Sequence, residues 1–152
     1  MNINSSNFES IVYIYICKNP ERFKHVISGF FVNQYISKLY GITRKHYNDF
    51  KELPFNEDNP NSKQIAEIAE RNINYVQIDE ELDEEDNLQI FVNNVNNVLN
   101  TDYGSYSKEW VEKSIKAWIK WKNFEYGLQK SADIMSTHEI SESNIDEYIN
   151  KA

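Results

Sequence analysis

The stretch "WVEKSIKAWIKWKNFEYG", Trp110 to Gly127, carries all three tryptophans of the chain within twelve residues. It lies inside a longer run that Ser107 caps and that keeps helical spacing to about Thr137. A helix of close to thirty residues commits much of a 152-residue chain to helical packing. Four Gly and three Pro leave few turns, so the remaining elements are long as well. Hydrophobic residues make up 40% of the chain, enough for one domain with a core. The fold class that follows is all-α: a globular helical head over residues 1–104, then a hairpin of a long and a short helix over 105–152.

The other elements are read from their caps and spacing. "SSNFESIVYIYICKNP" opens with Ser5, Ser6 and Asn7, and Glu9 stands three residues after Ser6, the spacing of a capping box. Ile11 to Cys17 is β-branched and aromatic enough to be a strand. Its unbroken apolarity and its helical neighbours favour a buried helix. Pro20 then begins a short helix, "PERFKHV". From Asn33, the positions Ile36, Leu39, Tyr40, Tyr47 and Phe50 share one helical face, with Leu53-Pro54 as the stop. Gly41 inside that helix costs about 1 kcal/mol and marks close packing. "NSKQIAEIAERN" is a short helix with Ile65, Ala66, Ile68 and Ala69 inward. "INYVQIDEELDEED" is a loop. "NLQIFVNNVNNVLN" is a helix with Leu88, Phe91, Val92, Val95, Val98 and Leu99 inward and its asparagines outward. "SESNIDEYINKA" closes the chain as a short helix bearing Ile145, Tyr148 and Ile149 on one face.

Charge is unevenly spread. The formal net charge is −8, yet residues 1–78 sum to +1 and residues 87–152 to −2. The run between them, Asp79, Glu80, Glu81, Asp83, Glu84, Glu85 and Asp86, holds seven acids and no base. It reads as a solvated, self-repelling loop, or alternatively as a lure for a basic partner. No Lys/Arg stripe accompanies it, which argues against direct nucleic-acid binding.

Reaction chemistry is hard to place. No G-x-G and no Gly followed by Lys-Ser or Lys-Thr occurs, so a phosphate loop is excluded. His25, His46 and His138 are far apart and do not pair with Cys17 at a metal-ligand spacing. They read as surface, boundary or turn residues. Cys17, the single cysteine, reads as a small buried hydrophobe. The chain alone is therefore expected to be no enzyme and to hold no cofactor. "IVYIYIC" is too short to span a membrane, and the polar first ten residues have no signal-peptide pattern. A reducing, cytoplasmic setting follows. The abundance of Asn, Ile, Lys and Tyr fits an AT-rich bacterial or phage genome.

The long helix is the informative element. A heptad started at Val111 gives a seam of Val111, Ser114, Trp118, Trp121, Glu125, Leu128, Ala132 and Met135, the spacing of a hairpin contact. Glu125 interrupts it, either as the ion-pair partner of Lys122 or Lys130, or as a polar residue that fixes register. Ile115, Ile119 and Tyr126 form a second apolar set beside the seam. Either the head covers that set or a neighbouring subunit does, through the aromatic anchors common at interfaces.

The order of these segments resembles the N-terminal domain of replicative DNA helicases of the DnaB type, including those of T4-like phages. The matching pieces are "KNPERFKHV", "SGFF", "YISKLYGI", "KELP" and "WVEKSIKAWIKWKNFEYGLQKSADIM", spread from about residue 8 to 151. The resemblance is one of pattern and order, with no signature motif. It implies a helical head and hairpin, with hairpins pairing between subunits and three pairs forming the collar of a hexamer. It also implies docking of primase or a helicase loader on that collar. ATP and Mg belong to the ATPase domain that follows in the family and that these residues do not include. The ending "INKA" within a helical pattern would then be a cut before the linker helix. The acidic run and the Asn-rich helix depart from the family's pattern. The alternative is a stand-alone phage or plasmid regulatory protein that binds a host partner through the acidic loop.

Overall fold

The computed structural model describes residues 6–54, 62–99 and 106–137. Every regular element among them is helical, so the chain is all-α. It divides into two compact units, residues 1–108 and 109–152. The short closing helix expected at the end of the chain, with its face of Ile145, Tyr148 and Ile149, lies outside the described residues, as does His138.

The first unit is built around α1 (Ser6–Lys18). Phe8 to Tyr13 and Tyr15 to Cys17 are all buried, and Ile11 to Cys17 has no polar face. A helix that is apolar all round belongs in a core, and this is why the β-branched run folds as a helix rather than a strand. Asn19 closes α1, its side-chain amide donating to the Tyr15 carbonyl at 2.9 Å. Pro20 then begins a 3-10 turn, Pro20–His25, where its missing N–H costs nothing. Phe23 anchors that turn, its ring 5.0 Å from Tyr47 and 5.7 Å from Tyr40.

α2 (Gln34–Phe50) follows a second 3-10 turn, Ser28–Phe30. Its N-terminus is held twice. The Asn33 Oδ1 accepts from the N–H groups of Tyr35 (2.9 Å) and Ile36 (3.1 Å). One residue further out, both carboxylate oxygens of Glu9 accept backbone N–H groups, from Val32 at 2.8 Å and Asn33 at 2.9 Å. Glu9 is only 1% exposed. The carboxylate expected to box the start of α1 is thus committed to the start of α2, where it meets the positive end of the helix dipole.

The buried face of α2 is Ile36, Leu39, Tyr40, Ile42 and Thr43. Phe50, expected on that face, is 64% exposed and lies beside His46 at 4.7 Å. Thr43 takes part because its hydroxyl donates to the Leu39 carbonyl at 2.8 Å. With that hydrogen used, the Tyr13 phenol is the donor in the 2.9 Å contact between Tyr13 and Thr43. The Tyr40 phenol donates to the Val26 carbonyl at 2.6 Å. Burial pushes both phenols above their ordinary value of 10.0. The helix stops at Lys51, in the left-handed region at φ 58°, its N–H bonded back to the Tyr47 carbonyl. Termination therefore precedes the Leu53-Pro54 stop.

α3 (Ser62–Arg71), the single turn α4 (Ile73–Val76) and α5 (Glu84–Leu99) complete this unit. α5 packs against α1, α2, α3 and α4, with Phe91, Val92 and Val95 buried. Gly41 is where α2 meets α4: a Cβ there would collide with the Tyr75 hydroxyl and lie 3.3 Å from its ring. The close packing expected at Gly41 is present. The second unit carries α6 (Lys108–Thr137), thirty residues long as its spacing indicated.

Candidate functional site

α6 carries two different apolar stripes. Val111, Ile115, Trp118 and Lys122 are buried, and at roughly 100° per residue they fall on one side of the helix. This side draws Val111 and Trp118 from the expected seam and Ile115 from the expected subunit surface. The heptad reading separates positions that the helix joins. A straight helix has 3.6 residues per turn, so heptad positions drift by about 20° each repeat and leave a fixed face.

Beyond Trp118 the seam positions are exposed. Trp121 is 51% exposed, Leu128 56% and Met135 64%, and Ala132 is also exposed. With Phe124 they form a second stripe, roughly 120° round the helix from the buried one. The rings of Trp121 and Phe124 lie 5.9 Å apart at 33°. Of the second expected set, Ile115 is 1% exposed and closed to solvent, Ile119 is half-buried, and Tyr126 is exposed. Tyr126 falls at the edge of the buried side, roughly 20° beyond Ile115, yet it is 42% exposed, with the Lys130 Nζ 5.3 Å from its ring. Lys122 reaches Glu125 at 3.7 Å, one of the two ion pairs that the spacing allowed. Its stem is buried and its Nζ lies 6.0 Å from the Trp118 ring.

The acidic run is more ordered than a self-repelling loop. Its second half is helix, since α5 begins at Glu84. The Asp83 Oδ1 caps it by accepting the Asp86 N–H at 2.8 Å. Glu84, Glu85 and Asp86 then occupy the first turn, where carboxylates are favoured by the dipole. The first half is tied down by Asn87. This buried amide accepts the Asp79 N–H at 3.1 Å and donates to the carbonyls of Asp79 (2.8 Å), Asp83 (3.1 Å) and Leu82 (3.2 Å). Asp79, Glu80, Glu81, Asp83, Glu84, Glu85 and Asp86 all remain exposed. The result is a negatively charged turn with a fixed backbone. It also corrects the reading of the asparagines as an outward face, because Asn87 faces in.

Other chemistry is sparse. Among the described residues no group of three or more His, Cys, Asp or Glu could hold a metal ion. Cys17 is buried and in no disulfide, as its apolar run indicated. Among the described residues no helix is long and apolar enough to cross a membrane. Sequence reasoning missed the long-range work of Glu9 and Asn87. The one available signal was a polar residue in a position otherwise read as apolar or capping. No protein-family model matches this chain, no curated protein matches it, and no solved structure matches it.

Proposed function

We propose that the chain is a protein-interaction and assembly module of the kind that forms the collar of a DnaB-type replicative helicase. In that role it brings subunits together and docks primase or a helicase loader, in the cytoplasm of a bacterial or phage-infected cell. Two things support this reading: the order of segments set out above, and the surface of α6. The observation that carries it is that Trp121, Phe124, Leu128 and Met135, which share one side of α6, are each 51–64% exposed within fifteen residues. Contiguous exposed aromatic and aliphatic side chains at this density mark an interaction surface, because leaving them in water forfeits about 25 cal/mol per Å2 of apolar area.

The partner for this stripe is a second copy of the chain. Light scattering across a concentration series tests it, with Trp121→Ser, Leu128→Ser and Met135→Ser combined as the control. Reversible dimerisation is expected on the order of 100 µM, the weak end for a small interface, and the triple variant stays monomeric. A chain that is monomeric throughout, or a variant that dimerises equally well, would refute self-association through α6. Trp118 is left intact because it is buried.

A second reading is a regulatory protein that captures a basic host partner on the acidic turn. The Asn87 contacts favour it, since they hold the carboxylates in one arrangement before binding. Neutralising the seven acids to amides would abolish that capture and leave α6 dimerisation unchanged.

A further inference from the structure

A cavity of about 490 Å3 opens between α2 and the α3–α4 junction. That is within the range of about 300–1,000 Å3 common for small-molecule sites. One wall is a face of α2 at three- and four-residue spacing: Gly41, Arg44, Lys45 and Asn48, with Asp49 beside them. The other wall is Asn72 and Tyr75.

The α2 wall carries two cations, Arg44 and Lys45, and one carboxylate, Asp49. Among the described residues, Lys122 and Glu125 form an ion pair, whereas neither Arg44 nor Lys45 has an acidic partner, although Asp49 lines the same cavity. The Arg44 Nε is buried with no hydrogen-bond partner, so its stem is sunk in protein while the guanidinium edges the cavity. A buried N–H left without a partner is unfavourable, and the Nη groups of the same guanidinium are the donors that an anion in the cavity would meet. Tyr75 fixes the opposite wall. Its hydroxyl would collide with a Cβ at residue 41, and the Lys38 Nζ lies 4.2 Å from its ring.

We propose that this cavity binds a small phosphorylated sugar. Arg44 and Lys45 hold the phosphoryl oxygens, since a guanidinium and an ammonium together match a dianion. Asp49 and the amides of Asn48 and Asn72 receive the hydroxyl groups, which need acceptors as well as donors. Tyr75 supplies an apolar wall for the ring carbons. One N–H of the Asn72 amide is given to the Ile68 carbonyl at 2.8 Å, which leaves the second N–H and the oxygen for a ligand.

Amide correlation spectra of the full chain, titrated separately with ribose 5-phosphate, inorganic phosphate and ribose, test the proposal. Saturable shifts confined to residues 41–49 and 72–75 are expected with ribose 5-phosphate. Inorganic phosphate should bind about tenfold more weakly, one to two hydrogen bonds' worth, and ribose not measurably. Lys45→Gln, at an exposed position, should weaken ribose 5-phosphate about fivefold with the rest of the spectrum unchanged. Gly41→Ala, which pushes the Tyr75 ring aside, should weaken it also. Shifts scattered over surface lysines, equal binding of inorganic phosphate or ribose, or indifference to Lys45→Gln would each overturn it.

Discussion

Replacing Glu9 should unfasten the start of α2 from a distance of more than twenty residues in sequence. Each of its carboxylate oxygens accepts one backbone N–H, at 2.8 and 2.9 Å. Hydrogen bonds to a charged group are worth about 1.5–3 kcal/mol each. Val32 is exposed and Asn33 half-exposed, so water can replace part of what is lost. The lower end of the range then applies, and Glu9→Ala should cost about 3 kcal/mol. Glu9→Gln keeps the volume and one acceptor but turns an NH2 toward the second N–H, and should cost about 2 kcal/mol. Asn33→Ala removes an ordinary N-cap and should cost about 1 kcal/mol. Urea unfolding followed by far-ultraviolet circular dichroism measures all three. For a chain of this length, each kcal/mol lowers Tm by about 2–4 °C, so Glu9→Ala should melt about 6–12 °C early. If Glu9→Gln unfolds within about 0.5 kcal/mol of the unaltered chain, the carboxylate does not fasten α2 and the reasoning fails.

Three further outcomes follow from the same geometry. Asn87→Ala should cost about 2–3 kcal/mol by leaving the Asp79–Asp83 backbone without its buried partner, and hydrogen exchange at residues 79–86 should quicken; unchanged exchange would show that the turn holds itself. Because burial raises the phenols of Tyr13 and Tyr40 above 10.0, the unfolded chain loses those protons first as pH rises. Their contribution to stability is therefore full below pH 10 and falls above it, and Tyr13→Phe should flatten that alkaline decline in a denaturation series. Trp118→Ala should cost about 3–5 kcal/mol, as fully buried rings do, whereas Trp121→Ala should change monomer stability by less than about 0.5 kcal/mol; similar costs for the two would contradict the burial pattern of α6.

The sequence by itself determined most of the described elements, although Ile73–Val76 and the first turn of α5 from Glu84 are helical within what reads as a loop. Cap residues, the scarcity of Gly and Pro, and three- and four-residue spacing act within a turn or two of the chain, so they can be read locally. That is why α6 ends where its spacing does, why Pro20 opens a turn, and why Ile65, Ile68 and Ala69 face inward on α3. Gly41 belongs here too, as a missing Cβ that predicts a close neighbour without naming Tyr75. Tertiary structure decided the partners. A carboxylate at position 9 can serve its own helix or another, and only the approach of Val32 and Asn33 selects the second. Asn87 looks like its exposed neighbours until the acidic turn folds back over it. On α6, the sequence supplies more apolar residues than one stripe can hold. Which of them are buried depends on the angular position of the covering surface, and periodicity carries no record of that. So Trp118 is buried and Trp121 faces solvent, three residues apart on the same helix.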